Sequence, residues 1–116
     1  QYNKMSIEKI TSAIGEMTVA MCSADGIVSD IERDHIDRLK PEYLNLLDGD
    51  LFHRLLAGYK GVPDFTDRAK EISDLLTNDE KKHFYNYFKE LAECDFTDLA
   101  EQRFLDQLTE IWSLEN

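Results

Sequence analysis

The sequence predicts an all-α fold, a compact bundle of about six or seven short helices with an internal pseudo-two-fold repeat. Three observations carry that expectation. Apolar residues recur at intervals of three and four almost everywhere, the spacing that lines one face of a helix. No stretch alternates apolar and polar residues as a half-buried strand does. With two prolines and five glycines, the chain is short of the turn residues an all-β domain of this size needs.

The elements follow in order. Ile7, Ile10, Ile14, Met17 and Met21 lie on one face of a first helix, which Gly26 ends. Ser29-Asp30-Ile31-Glu32 has capping-box spacing and opens a second helix carrying Ile36 and Leu39. Pro41 interrupts or bends it, because Lys40, the residue before the proline, is disfavoured in the α region. The stretch from Tyr43 to Tyr59 is rich in leucine, with Leu51, Leu55 and Leu56 on a common face and a turn at Asp48-Gly49. Gly61-Val62-Pro63-Asp64 is the clearest loop, and a short helix from about Thr66 to Leu76 follows. Thr77-Asn78-Asp79-Glu80 is a second capping box, opening a helix whose Phe84, Phe88 and Leu91 face inward. Asp95-Phe96-Thr97 breaks that run, and a last helix covers about Leu99 to Leu114, with Leu105, Leu108 and Trp112 at helical spacing.

The 116 residues suit one domain with a single core. Met5-Ser6 reads as a native start, so residues 1–4 are an expected cloning remnant and residues 5–116 the domain. A net charge of −11 argues against nucleic-acid binding, which needs a positive footprint, and against adhesion to an anionic membrane surface. It leaves a cation, a basic partner or plain solubility. The hydrophobic fraction of 42% argues against disorder. The longest charge-free stretch near the start, Met17 to Ala24, is eight residues, too short to span a bilayer. No secretory signal is visible, and a cytoplasmic location is expected, with Cys22 and Cys94 as reduced thiols.

The chain aligns with itself at an offset of 70. Ile14 meets Phe84, Met17 meets Tyr87, Met21 meets Leu91 and Asp25 meets Asp95. With one residue removed in the loop, Ser29 meets Asp98, Glu32 meets Glu101, Ile36 meets Leu105, Asp37 meets Asp106 and Leu39 meets Leu108. Amphipathic helices readily align their apolar positions; the coincidence of loop Asp, cap residue and Glu is harder to dismiss.

At 100° per residue, Glu32 falls between Ile36 and Leu39, and Glu101 holds the same place relative to Leu105 and Leu108. An inward carboxylate must be satisfied, because an unpaired buried charge is very costly. Either the backbone N–H of the cap residue or a bound cation serves. Capping accounts for Ser29 with Glu32 and Asp98 with Glu101, but leaves Asp25 and Asp95, which an Asx turn or a metal explains. The clusters Asp25/Asp30/Glu32 and Asp95/Asp98/Glu101 each offer up to three carboxylates, enough with loop carbonyls and water for a weak calcium site. Neither is an EF-hand: from Asp25 the sixth position is Asp30 and the twelfth Ile36, where Gly and a bidentate Glu are required.

The run from Ala20 to Glu32, with its Ala24-Asp25-Gly26 and its Ser29, followed by Ile36 and Leu39, resembles the signature of the TerB-like tellurite-resistance family. Cys94-Asp95 through Glu101 and Leu105 is similar to that family's weaker second copy. The resemblance implies an all-helical, non-enzymatic domain without an organic cofactor, binding divalent metal, with calcium favoured, at Asp25 and Glu32 and at Asp95 and Glu101. It also implies a stress-response adaptor with protein partners, among them a membrane-associated complex; the net charge and the short apolar stretches argue for no nucleic acid and no direct membrane insertion. The second loop departs from the pattern: Phe96 stands where the family has glycine, and the loop is one residue shorter.

Glu32-Arg33-Asp34-His35 and Glu80-Lys81-Lys82-His83 are both Glu-x-x-His, part of the ligand set of a carboxylate-bridged di-iron bundle. Both sit at helix starts, where capping competes for the Glu. His53 lies among leucines and reads as a core-edge histidine. No Gly-rich phosphate loop, Cys-x-x-Cys or nucleophile elbow is present. Phe84, Tyr85, Tyr87 and Phe88 cover more than one face, as core packing or as a partner-binding surface. A metal-free acidic interaction module is the alternative to the metal-binding adaptor.

Overall fold

The computed structural model describes residues 4–22, 34, 36–38, 45, 47–58, 64–93 and 99–114. Within them lie α1 (Lys4–Cys22), α2 (Gly49–Gly58), α3 (Phe65–Ile72), α4 (Asn78–Glu93) and α5 (Leu99–Ile111). A 3-10 turn, Ser73–Leu75, continues α3, and Asp34 and residues 36–38 are also helical. No strand occurs among the described residues, so the fold is all-α. The expected features at Gly26, Ser29 to Glu32, Leu39 and Pro41, and Cys94, lie outside the described residues.

Helix starts are set by side chains that accept the orphan N–H groups of a first turn. Asp48 does this for α2: its carboxylate accepts the Leu51 N–H at 3.2 Å and its carbonyl the Phe52 N–H at 3.0 Å. The expected turn at Asp48-Gly49 is therefore a helix start. Asp64 caps α3, accepting the Thr66 hydroxyl at 2.8 Å and the Asp67 N–H at 3.1 Å. Those bonds, the Thr66 hydroxyl foremost, hold the Asp64 carboxyl below its ordinary pKa. At α4 the capping box forms as expected: Glu80 N–H donates to Thr77 Oγ1 at 3.2 Å and Thr77 N–H to Glu80 Oε1 at 2.8 Å. At the other end of the chain, α5 closes with Ser113 at φ 53°, its N–H reaching the Glu110 carbonyl while the Leu114 N–H reaches that of Thr109. That is a Schellman closure with serine where glycine is commonest.

α1 is the central helix, packing on α2, α3 and α4, and α5 closes the bundle against α3 and α4. Between Ile10 and Met21, every residue of α1 is buried except Ser12 and Glu16. The helix is thus covered nearly all round rather than on one face, which explains why Met17–Cys22 carries no charge. No helix among the described residues is long and apolar enough to cross a membrane.

The core gathers Ile14, Met17, Phe52, Phe65, Ile72, Phe84, Tyr87, Phe88, Leu108 and Trp112, each almost wholly buried. Burying each such side chain contributes roughly 1.5–3 kcal/mol. Phe65 meets Phe88 edge-on at 5.4 Å and stacks on Phe104 at 4.8 Å, locking α3 to α4 and α5. At the end of α3, the Ser73 N–H turns to the Lys70 carbonyl as the helix tightens. The Ala69 carbonyl accepts the buried Trp112 indole N–H at 3.0 Å, satisfying both groups.

Candidate functional site

Of the six carboxylates singled out, Asp25, Asp30, Glu32, Asp95 and Asp98 lie outside the described residues. Glu101 is the third residue of α5, and its side chain is also outside them. Among the described residues, no group of three or more His, Cys, Asp and Glu side chains is placed to hold a metal ion.

α1 and α4 are the helices that precede the two acidic segments in the chain. α1 ends at Cys22 and α4 at Glu93, and the two helices pack on each other. Their contact includes a buried polar pair, Thr18 Oγ1 and Tyr87 OH, 2.9 Å apart. Thr18 spends its single proton on the Ile14 carbonyl at 2.8 Å, so the tyrosine hydroxyl is the donor to Thr18. Thr18 and Tyr87 are 69 residues apart. The apolar pairs of the alignment are buried in both halves: Ile14 and Phe84, Met17 and Tyr87, and Met21 and Leu91 are all at most 4% exposed. Ile36 and Leu105 are likewise buried, and Asp37 and Asp106 are both exposed.

The second Glu-x-x-His splits into unlike parts. The Glu80 carboxylate is engaged with the Thr77 N–H at the start of α4, at the helix end rather than projecting into the bundle. His83 is half-buried, its ring edge-on to Phe84 at 5.5 Å. In the first motif, Glu32 and His35 are outside the described residues. His53 is exposed, lining a cleft of about 190 Å³ with Ile36, Asp37, Leu56 and Ala57. The aromatic group resolves mostly to core: Phe84, Tyr87 and Phe88 are buried and Tyr85 is half-buried.

Two features were not singled out from the sequence. One is an acidic face on α3 and its 3-10 turn, with Asp64, Asp67, Glu71 and Asp74 exposed at spacings of three, four and three. Its opposite face carries the buried Phe65, Ala69 and Ile72, so the helical period of the acids was a readable signal. Arg68 neutralises part of it, reaching Glu71 at 3.0 Å and Glu16 of α1 at 3.6 Å. The other is the set of buried hydroxyls. Thr11 accepts the Asp48 N–H at 3.0 Å, tying the start of α2 to α1 much as Thr18 ties α4. A threonine within an apolar helix gives little sign from spacing alone that its hydroxyl is used. Comparison of the chain with protein-family models, with curated proteins and with solved structures finds no match.

Proposed function

We propose that this chain is a TerB-like, non-enzymatic helical domain of the cytoplasm, a stress-response adaptor that binds a divalent cation at paired acidic loops. The observation that supports this reading is the Thr18–Tyr87 contact. When two equivalent helices cross on a two-fold axis, each meets the other at its own equivalent position. The separation across the crossing then equals the repeat offset. Thr18 and Tyr87 are 69 apart, against the sequence offset of 70, and the aligned apolar pairs of the inner face are buried in both halves. A duplicated helix–loop–helix favours a common role for its two loops, and Asp25/Asp30/Glu32 and Asp95/Asp98/Glu101 offer the hard oxygen donors that calcium prefers. Protein partners, including a membrane-associated complex, follow from the same resemblance.

Calorimetric titration of the chelator-treated protein with calcium tests the proposal. Binding is expected, and Asp25→Asn with Glu32→Gln should remove one class of sites. An isotherm that the double substitution leaves unchanged would overturn the assignment. Calcium at a hundred times its Kd should also stabilise the fold by about 2.7 kcal/mol.

The exposed acidic face of α3 favours a second reading, a metal-free module that recruits a basic partner. It predicts no thermal stabilisation by millimolar calcium, magnesium or manganese, and capture of a basic partner that collapses in high salt.

A further inference from the structure

We draw no further inference here: the strongest candidate, the cleft between the 36–38 segment and α2 lined by Ile36, Asp37, His53, Leu56 and Ala57, sets one exposed imidazole and one exposed carboxylate beside an apolar floor, and nothing in the structure shows what covers it.

Discussion

α1 and α4 occupy aligned places in the two halves of the chain, yet they are buried to very different extents. They share one inner face: Ile14, Met17, Thr18 and Met21 on α1 answer Phe84, Tyr87, Phe88 and Leu91 on α4, none more than 4% exposed. α1 is also buried on two flanks of that face that α4 leaves more open. Its Ala13, Gly15, Val19 and Ala20 are buried where α4 carries the less buried His83, Tyr85, Lys89 and Glu90. The contacts explain the difference. α1 packs extensively on α2 and α3 as well as on α4, whereas α4 packs on α1 and α5 and meets α3 through Phe88. A repeat read from apolar spacing therefore captures the shared face, while the small residues of α1 record its more extensive packing.

The largest effect should come from giving α1 the residue that α4 carries at the aligned position. Val19 is fully buried and Lys89 is exposed. Val19→Lys puts an unpaired ammonium into the core and should cost about 4 kcal/mol or more, enough to unfold a domain of ordinary stability. Lys89→Val should change stability by no more than about 0.5 kcal/mol, as surface substitutions do. Urea denaturation of both variants measures the contrast. Equal tolerance would mean that α1 is not enclosed at Val19.

Next in size is the bond joining the two helices. Thr18→Val keeps the side-chain shape but removes an acceptor used by Tyr87 and a donor used by the Ile14 carbonyl. A loss of about 1–3 kcal/mol is expected. Tyr87→Phe, which leaves Thr18 its bond to Ile14, should cost about 1 kcal/mol. A double-mutant cycle isolates the link. Strictly additive losses would show that the 2.9 Å contact contributes no coupling.

Much of this architecture was legible in the sequence, and the reasons are physical. Apolar spacing located α3, α4 and α5, and the Thr77–Glu80 pair marked the start of α4 because capping is local chemistry between residues three apart. The same logic missed Asp48 as a cap, since Asp-Gly signals a turn as readily as a helix start. Phe65, 1% exposed, was passed over because it stands just before the expected helix start at about Thr66; Phe52, also 1% exposed, was passed over within the Tyr43–Tyr59 stretch, where the leucines alone defined the face. The buried flanks of α1 were illegible for a different reason: alanine and glycine are small enough to lie against a neighbour or against water. Carboxylates in a loop are similarly ambiguous. Asp25 and Asp95 serve a cap, an Asx turn or a cation equally well from spacing alone, because all three need only an oxygen near a backbone turn.

A smaller contrast lies at the helix starts. α4 opens on its capping box with Asp79 and Glu80 in the first turn, whereas α1 has no acidic residue in its first turn. Thr77→Ala removes the acceptor for the Glu80 N–H and should cost about 1 kcal/mol. Glu80→Gln should cost less, since the amide oxygen also accepts the Thr77 N–H. If thermal melts rank these two in the opposite order, the carboxylate has a role beyond the cap.

The smallest effect is expected at Gly15, which faces Leu55 of α2. A Cβ there would stand 2.9 Å from Leu55 Cδ2, with the next Leu55 atoms at 3.6 Å. Alanine is favoured over glycine within a helix by about 1 kcal/mol. Against that gain, Leu55 must swing its terminal methyl aside, and being half-buried it has room to turn toward solvent. The two terms nearly cancel, so Gly15→Ala should shift stability by less than about 1 kcal/mol in either direction. A loss above about 2 kcal/mol would mean that Leu55 is pinned and that α2 must retreat, as overpacked elements do. The distinction bears on the comparison of α1 with α4. With a yielding Leu55, the contact of α1 with α2 has room for a methyl group; with a pinned one, the glycine itself is what admits α2.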